Sequence, residues 1–395
     1  MLAQIQRYTT TSAAGVGMAA LRAALADRKS GLRPNDFDGC DLDTWIGRVP
    51  GLGDVELPEH LAHLDSRNNR LAWLGLQQDG MLDAVRAAAD RLGGHRIGIV
   101  MGTSTSSIGF TEVGYRHLDE HDRMPSEYQA PDVQNLHGPG LFVAAATGIQ
   151  GPCLTISTAC SSSAKVFATA ARWLRCGLVD AVLVGGADSL CLNTLYGFNS
   201  LQLLSPEPCR PSSRDRQGIN IGEAAGYALI GRSGVFEDAD LAVLGYGESS
   251  DAWHMSHPHP EGKGALAAMD QALAGAGLEP EAIGYINLHG TASKANDAVE
   301  NVAIDQRFGP STRVSSTKGW TGHALGAAGI LEAVIALDAL AEQRIPGTLN
   351  TTEVDPEFAF PVQLDNSAAS LHYVMSNSFG FGGNNATLVF GRNDA

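Results

Sequence analysis

The order of apolar and polar residues along the chain predicts buried strands that alternate with helices. Two continuous apolar runs, 97–101 and 180–186, have the length and composition of strands that are buried on both faces. A third run, 154–156, ends in Ser-Thr-Ala and is followed by a segment that is apolar at helical spacing over 166–174. With frequent glycine and few aromatic residues, this pattern is typical of an α/β protein.

One structural unit is predicted to occur twice in the chain. A strand runs into Gly-Thr at 102–103 and again at 290–291. Ser-Thr precedes a helix of small residues at 157–158 and again at 316–317. Two pairs of motifs in the same order indicate an internal duplication, and chance similarity of short motifs is the alternative.

The length of the chain, 395 residues, is large for one core and suits two packed halves. We expect an N-terminal half over 1–232 and a C-terminal half over 233–395. The spacing between the paired motifs is longer in the first half, where a polar insertion contains Pro125, Pro131 and Pro139. Around residues 3–8 we expect a short strand, followed by a polar turn over 9–17.

The charge balance limits the classes of partner. A formal charge of −16 argues against nucleic acid and against an anionic membrane surface as general partners, although a local basic patch remains open. The six cysteines have neither metal-ligand spacing nor the density of a disulfide framework. With no signal-peptide core and no membrane span expected, the sequence predicts a reduced, cytoplasmic protein.

Cys160 stands at a predicted strand-to-helix turn. A thiol at a helix N-terminus lies near the positive end of the helix dipole, which favours thiolate over thiol. Backbone N–H groups at the same turn are free to face a developing oxyanion. The alternative is an inert cysteine buried in a small-residue helix. We therefore predict a nucleophilic cysteine.

Two histidines supply what such a nucleophile needs. His289 follows an apolar strand, and His323 ends the glycine-containing turn 316–323. Either histidine alone would more often be a packed or surface residue. Their occurrence together with Cys160, and with the glycine-rich run 377–383, indicates a Cys-His-His catalytic group.

These motifs carry a resemblance to a known family. Thr158-Ala-Cys160, His289-Gly-Thr, Lys318 with Gly-His323, and Asn377-Ser-Phe-Gly-Phe-Gly-Gly occur in the order found in β-ketoacyl-[acyl-carrier-protein] synthases of the decarboxylating Cys-His-His type. The chain therefore resembles this branch of the thiolase-like superfamily over nearly its whole length. The resemblance implies two similar halves in an αβαβα sandwich and an acyltransferase that needs no cofactor.

The resemblance also implies roles for individual residues. Cys160 would take an acyl group from a carrier-protein thioester, and the N–H groups of Cys160 and Phe381 would form an oxyanion hole. His289 and His323, as neutral rings, would donate hydrogen bonds to the thioester carbonyl of malonyl-carrier protein as CO2 leaves. The carbanion would then attack the acyl-enzyme in a Claisen condensation.

Further residues match supporting positions of the family. Lys318 and Glu332 match a buried pair near the histidines, with an ordinary surface ion pair as the alternative. The residues that match the acyl pocket and its gate are Phe198, Phe379, Phe381, Thr291 and Ser293, with plain core aromatics as the alternative for the phenylalanines.

Departures from the family's usual pattern suggest the substrate. Thr103 to Ser107 stand where the family often has glycines, near the expected acyl pocket. Hydroxyls there disfavour a flexible saturated chain, unless they bond to backbone in a turn and never meet the substrate. With Ser66 to Arg70, these departures look most like ketosynthases of aryl polyene pathways; general fatty-acid elongation is the alternative.

The expected partners are an acyl carrier protein and a second subunit. Arg67 and Arg70, at i and i+3 on a predicted helix, are candidates for docking the acidic carrier, with solvated helix surface as the alternative. The resemblance implies a homodimer or a heterodimer with a chain-length-factor-like subunit. No metal is expected, even at the histidine-rich turn 254–259.

Two other thiolase-like classes fit the sequence less well. A degradative thiolase needs a second catalytic cysteine near the C-terminus, yet no cysteine follows Cys209. A catalytically silent chain-length factor lacks the nucleophile, whereas Cys160 is present.

Overall fold

The computed structural model describes residues 3–392, so the outer ends of both predicted halves lie outside the described residues. The earlier strands are β1 (Ala3–Ser12), β2 (Gly15–Val16), β3 (Leu32–Pro34), β4 (Trp45–Gly47), β5 (Ile97–Gly102), β6 (Cys153–Ile156), β7 (Ala181–Asp188), β8 (Ile221–Gly222) and β9 (Ala224–Arg232). The later strands are β10 (Leu241–Ser250), β11 (Ile283–Asn287), β12 (Arg313–Ser315), β13 (Arg344–Ile345), β14 (Ser367–Ala368), β15 (Tyr373–Gly380) and β16 (Asn384–Arg392).

Helices cover and separate these strands. The earlier helices are α1 (Gly17–Ala26), α2 (Arg67–Leu76), α3 (Met81–Leu92), α4 (Ile108–Tyr115), α5 (Pro131–Gln134), α6 (Gly138–Thr147), α7 (Ser162–Arg175) and α8 (Leu192–Ser200). The later helices are α9 (Lys263–Ala276), α10 (Lys294–Arg307), α11 (Lys318–Thr321) and α12 (Ala328–Glu342). Short 3-10 turns include Leu325–Ala327 and Phe381–Gly383. Within residues 3–392, no helix is both long enough and apolar enough to cross a bilayer.

The strands form two series with the same order and the same directions. In the first series, β6-β5-β7-β9-β1, the pairs are parallel, parallel, antiparallel and antiparallel. The second series, β12-β11-β15-β16-β10, repeats this pattern pair by pair. Strands β1 and β10 join the two series through three residue pairs. The duplication expected from the motifs is therefore present in the topology.

Two helices form the centre of the molecule. Helix α7 packs on α12 and touches strands of both series, as α12 does. Every residue of α12 from 328 to 340 is buried, as expected for a helix enclosed on all sides. Helices α2, α3 and α6 cover the outside of the first series, and α9 covers the second. The layers are thus helix, sheet, helix, sheet and helix.

A glycine permits the close contact between the central helices. A Cβ atom on Gly329 of α12 would lie 2.4 Å from the backbone nitrogen of Ala164 on α7, so no larger residue fits without movement of the backbone. The N–H group of Ile330 also donates to the Ser163 hydroxyl, at 2.8 Å. Because each helix follows the outermost strand of its series, this contact brings the loops before α7 and α12 together.

The first strand is longer than the sequence suggested. Residues 9–12 were expected in a turn, but they continue β1 and pair with β9 in antiparallel register. Their threonine and serine side chains are almost fully buried. Polar residues at these positions concealed a buried strand that pairs with β9 throughout and, at Thr11 and Ser12, also with β2. The helix predicted to carry Arg67 and Arg70 is present as α2, and the Ser66 hydroxyl caps its N-terminus.

Candidate active site

A tight turn presents Cys160 between β6 and α7. The N–H group of Thr158 donates to the Ser162 hydroxyl at 2.9 Å, and this hydroxyl donates to the Ala159 carbonyl at 2.5 Å. Ala159 has a φ angle of 52°, in the region that L-residues seldom occupy. Such strain is maintained where the surrounding structure fixes it, as at active sites. The turn therefore holds the thiol in one direction.

His323 points its ring at this thiol. The N–H group of His323 donates to the Asn220 carbonyl at 2.7 Å, and the His323 carbonyl accepts from Gly222 at 3.0 Å. With the backbone held on both sides, the Nε2 atom of His323 lies 3.0 Å from Cys160 Sγ. Both side chains are buried, so the contact is shielded from bulk water.

His289 reaches the same space from the end of β11. Its N–H group donates to Glu300 at 2.9 Å, and the N–H group of Gly290 donates to the other oxygen of Glu300 at 2.8 Å. Glu300 lies on α10, so this carboxylate ties the end of the strand to the helix. The His289 and His323 rings are perpendicular, with centroids 5.2 Å apart.

Lys318 and Glu332 form a buried pair beside the histidines. Their side chains are 1% and 2% exposed, so this is not a surface ion pair. The Lys318 ammonium also donates to the His289 carbonyl and lies 3.5 Å from His289 Nδ1. A cationic donor at Nδ1 makes that atom an acceptor, which leaves the proton of the neutral ring on Nε2, toward the cavity.

The tautomer of His323 is not fixed in this way. Among the described residues, its Nδ1 atom is buried and has no hydrogen-bond partner. Within the part of the chain that the structure describes, a group that fixes the tautomer is therefore present for His289 only. His323 can therefore accept a proton at Nε2 in one step and donate from Nε2 in another.

Burial and Lys318 keep both rings neutral. Desolvation lowers the pKa of His289 well below its usual range, and the charge of Lys318 lowers it further. The same two causes lower the pKa of His323. Neutral imidazoles, as expected from the sequence, are thus the resting state at neutral pH.

Burial of Cys160 acts against the thiolate that the helix N-terminus favours. Burial raises the pKa of Cys160 to about 12, although Lys318 and the N–H group of Phe381 act in the opposite direction. Loss of hydration outweighs the helix dipole, because a thiolate in this cavity has few donors around it. The thiol proton must therefore pass to a neighbouring base, and His323 Nε2 is placed to accept it.

The Phe381 loop completes the immediate surroundings of the thiol. The N–H group of Phe381 lies near enough to the thiol to lower the pKa of Cys160. A Cβ atom on the preceding Gly380 would lie 2.9 Å from the Thr158 carbonyl and 3.2 Å from the Cys160 nitrogen. Glycine at this position thus permits the close approach of the two loops that carry Cys160 and Phe381, whose N–H groups are the predicted oxyanion donors.

A cavity of about 120 Å³ lies beside the thiol and opens toward the surface. Its wall includes Cys160, both histidines and all the residues assigned to the acyl pocket and gate, Phe198, Phe379, Phe381, Thr291 and Ser293. The rings of Phe198 and Phe381 stack with centroids 5.5 Å apart. The Ser293 hydroxyl accepts from the Asn296 N–H group and so caps α10. The structure brings these residues together, and their roles remain predictions.

The hydroxyls of Thr103 to Ser107 do not line this cavity. The Thr103 hydroxyl donates to Asp188, and that of Thr105 lies 3.3 Å from the same carboxylate. The Ser106 hydroxyl donates to the Asn135 carbonyl, and the Ser107 hydroxyl contacts that of Ser66. The loop turns these side chains toward acceptors within the protein, as in the alternative that they bond within a turn and do not meet the substrate. The buried Ser104 hydroxyl is the exception, with no partner among the described residues.

Sequence reasoning did not identify two carboxylates that support the site. Asp188 accepts from the N–H groups of Ser104 and Gly326, each at 2.7 Å, and so joins the two halves beside the site. Glu300 holds the backbone of His289. Both are fully buried acids, one at the carboxyl end of a strand that was predicted and one on a helix after a candidate histidine. These two positions in the sequence were the features from which Asp188 and Glu300 could have been identified as supporting residues.

The two candidate docking arginines are paired within the chain. Arg67 makes two hydrogen bonds, at 2.9 and 2.6 Å, to Glu223, whose side chain is 0% exposed. Arg70 makes two hydrogen bonds, at 2.6 and 2.5 Å, to Asp65 at the surface. Arg67 therefore has a structural contact of its own, and docking by either residue stays a prediction.

The histidines of the turn 254–259 do not converge. His254 and His257 face each other with Nδ1 atoms 3.1 Å apart, and both are exposed. The Nδ1 atom of His259 instead accepts from the Glu261 N–H group at 3.2 Å. The ring nitrogens of this turn thus do not form a three-ligand group.

Comparisons with known proteins agree with this geometry. The family description "Beta-ketoacyl synthase, N-terminal domain" matches residues 72–234, and "Beta-ketoacyl synthase, C-terminal domain" matches residues 241–352. The 3-oxoacyl-[acyl-carrier-protein] synthase 2 of Vibrio cholerae is 33% identical over 94% of both chains. The enzyme of the same name from Synechocystis is 34% identical over 93% of this chain and 92% of its own.

Solved structures are similar over the whole length. The ketosynthase ApeO of Xenorhabdus doucetiae, in complex with its chain length factor ApeC, has a TM-score of 0.88 and 39% identity, covering 99% of this chain and 98% of that chain. The ishigamide ketosynthase/chain length factor has a TM-score of 0.88 and 28% identity over the same shares.

Proposed function

We propose that Cys160, His289 and His323 carry out the two half-reactions of this chain, which belongs to the beta-ketoacyl synthase family. Enzymes of this activity are acyltransferases, and this one elongates an acyl chain by decarboxylative condensation. The substrates would be an acyl thioester and a malonyl thioester, both on an acyl carrier protein. The products would be a 3-oxoacyl-carrier protein and CO2. The observation that carries the assignment is the buried contact between Cys160 Sγ and His323 Nε2, with His289 beside it.

In the first half-reaction, Cys160 takes the acyl group. The thiol proton passes to His323 Nε2 as Sγ attacks the thioester carbonyl. The developing oxyanion receives the N–H groups of Cys160 and Phe381. As the carbon–sulfur bond of the donor breaks, the proton on His323 goes to the departing carrier thiolate. The acyl-enzyme and a neutral His323 remain.

In the second half-reaction, the malonyl thioester loses CO2. His289, with its proton held on Nε2 by Lys318, donates to the thioester carbonyl, and His323 donates from the same side. The electron pair of the breaking carbon–carbon bond enters the enolate that these two donors stabilise. The enolate carbon then attacks the acyl carbonyl on Cys160, and Sγ leaves as a thiolate as the new carbon–carbon bond forms. One proton from water restores the resting thiol, so each turnover consumes one proton.

The reaction is tested with purified protein, an acyl-carrier thioester and malonyl-carrier protein. We expect equal amounts of CO2 and 3-oxoacyl-carrier protein, and neither product when Cys160 is replaced by alanine. Release of CO2 without any 3-oxoacyl product from the unaltered protein would contradict condensation as its activity.

For the acyl substrate, we favour an aryl polyene chain. This choice rests on the resemblance of the sequence, since the hydroxyls of Thr103 to Ser107 are directed to Asp188 and to neighbouring groups in the protein. General fatty-acid elongation is the second candidate, supported by the names of the curated relatives. Condensation assays with a polyenoyl and a saturated thioester of equal length separate the two. A higher kcat/KM for the saturated chain would favour the second candidate.

For the quaternary structure, we favour an assembly through β6, either with a second copy or with a chain-length-factor-like subunit. Strand β6 ends the first series, and its outer edge has no paired strand among the described residues. An open edge calls for a partner, and helix α6 beside it exposes 41% of Leu141. The ApeO and ishigamide structures contain a ketosynthase with a chain length factor. Light scattering of the protein alone and after co-expression with such a subunit distinguishes the two assemblies.

We also propose that the protein is cytoplasmic and needs no cofactor of its own. The residues around Cys160 supply the nucleophile, the proton acceptor and the oxyanion donors that this chemistry requires. Full activity of protein dialysed against a chelator would support the second point, and loss of activity that added metal restores would contradict it.

A further inference from the structure

The three residues of the candidate site also form a group of metal ligands. Cys160, His289 and His323 each offer one ligand atom, and these atoms lie within 4.8 Å of one another. All three residues are buried. Among residues 3–392, no other group of three or more cysteine, histidine or acidic side chains brings its ligand atoms this close together.

The directions of the ligand atoms are compatible with tetrahedral coordination. His323 presents Nε2 to Sγ at 3.0 Å, and Lys318 occupies the Nδ1 side of His289, which leaves Nε2 of His289 toward the cavity. Zinc bonds of about 2.3 Å to sulfur and about 2.0 Å to nitrogen separate tetrahedral ligands by about 3.3–3.6 Å. The Sγ–Nε2 pair at 3.0 Å must therefore open by about half an ångström, and atoms as far as 4.8 Å apart must approach by up to about 1.5 Å, to place an ion among the three atoms.

We propose that Zn2+ binds this triad as a reversible inhibitor, coordinated by Cys160 Sγ and the Nε2 atoms of both histidines, with water in the fourth position. Inhibition, unlike binding, rests on the proposed function, because the ion would bind the proposed nucleophile, Cys160. On binding, the S–H bond breaks, its proton passes to the buffer and a Zn–S bond forms. No oxidant or reductant takes part.

The donor atoms favour zinc over the common hard cations. Thiolate and imidazole suit Zn2+, whereas Mg2+ and Ca2+ require oxygen ligands. The nearby Lys318 ammonium opposes a cation, but Glu332 pairs with it and compensates its charge locally. The cavity of about 120 Å³ beside the thiol, which opens toward the surface, provides the path for the ion.

A surface site provides the matched control. His254 and His257 face each other near the opening of the same cavity, whose wall includes His257. They offer two imidazoles and no thiolate, so an ion held there lacks a sulfur ligand. The exposed Cys153 and Cys176 are the thiols that a surface ion would meet.

The experiment titrates the apo-protein with Co2+, a spectroscopic probe for zinc sites. We expect one equivalent to produce a sulfur-to-cobalt charge-transfer band in the near ultraviolet, with visible bands of a tetrahedral ion. Zn2+ should displace it, Cys160→Ser should abolish the charge-transfer band, and His323→Ala should weaken binding at least tenfold. The double variant His254→Ala, His257→Ala should keep the spectrum. A band retained in Cys160→Ser, or no band at all, would overturn the proposal.

A second measurement uses the unaltered protein and separates this inference from the proposed function. One equivalent of Zn2+ should block acylation of Cys160 by an acyl thioester, and a chelator should restore it. Acylation that is unaffected by zinc would refute the inference and leave the proposed function intact. A cobalt band at Cys160 in a protein that no thioester acylates would refute the function and leave the inference intact.

Discussion

The Nε2 atom of His323 lies 3.0 Å from the Sγ atom of Cys160, and both side chains are buried. Because burial raises the pKa of the thiol to about 12, the nucleophile depends on this contact to lose its proton. His289 is different, since its Nδ1 side faces Lys318. The two histidines therefore divide the chemistry unequally.

The first prediction separates the two rings. His323→Ala should slow acylation of Cys160 by about 10²–10⁴-fold, the usual contribution of a positioned base. His289→Ala should leave acylation within a few-fold of the parent and suppress malonyl decarboxylation. Single-turnover acylation and CO2 release, measured on both variants, check this. Equal acylation rates in the two variants would exclude His323 as the proton acceptor.

The second prediction concerns Glu300 and the pH dependence of stability. Burial raises the pKa of Glu300 from 4.5 to about 7, although the N–H groups of Gly290 and His289 act against this. The folded state then binds more protons than the unfolded state between these values, so this group's contribution to stability falls as pH rises from 4.5 to 7. The loss amounts to at most about 3 kcal/mol at about 1.4 kcal/mol per pH unit.

Glu300→Gln removes this titration. Its free energy of unfolding relative to the parent should therefore increase between pH 4.5 and 7, whatever the constant difference between the two proteins. Urea unfolding of both proteins at several pH values measures this difference. Glu332 titrates in both proteins, so its contribution cancels. A difference that does not change with pH would show that Glu300 titrates normally.

The third prediction concerns Asp188, which joins the two halves. The N–H groups of Ser104 and Gly326 donate to one oxygen of Asp188, which the amide oxygen of Asp188→Asn can replace. The amide N–H₂ group then stands where the second oxygen accepts from the Thr103 hydroxyl and faces the Thr105 N–H group, which should cost about 1–3 kcal/mol of stability. The exposed Asp54 provides the control, and Asp54→Asn should change stability by less than about 0.5 kcal/mol. Urea unfolding of the two variants makes the comparison. Similar stabilities would mean that the Asp188 carboxylate is not needed at this junction.

These carboxylates show where the sequence was sufficient and where it was not. Cys160, His289 and His323 could be grouped from sequence because each follows a strand or turn that limits its direction. Asp188 and Glu300 could not be assigned, because their partners are backbone N–H groups that only the folded chain brings near. The strand 9–12 was missed for a related reason: its polar side chains are buried by sheet neighbours that are more than 200 residues away.

Asp188 and Glu300 were missed, whereas the residues from Thr103 to Ser107 were noticed and surroundings near the acyl pocket were favoured for their side chains. Their hydroxyls were correctly recognised as unusual, but the alternative, that they do not meet the substrate, agrees better with their hydrogen bonds. Asp188 lies more than 80 residues away and accepts several of the loop's hydrogen bonds. Sequence spacing indicates that a loop is near a site, but it does not give the direction of the side chains.

The fourth prediction tests carrier-protein docking at Arg70. Arg70→Glu should raise the KM for the carrier protein and flatten its dependence on salt, since the surface pair with Asp65 contributes little to stability. Arg67→Glu is unsuitable, because it would place a second carboxylate against the buried Glu223. Arg123, which also pairs with an aspartate of its own loop, provides the matched control. A KM that changes equally in Arg70→Glu and Arg123→Glu would place docking elsewhere.

The central claim is that Cys160 is the acylated nucleophile, and mass spectrometry of the acylated protein tests it most directly. After incubation with an acyl-carrier thioester and proteolysis, we expect one acyl adduct, on the peptide that contains Cys160. It should be absent from Cys160→Ala and unchanged in the double variant Cys153→Ser, Cys176→Ser, which removes the two exposed thiols. An adduct on Cys153 or Cys176 of the unaltered protein, with Cys160 unmodified, would contradict the claim.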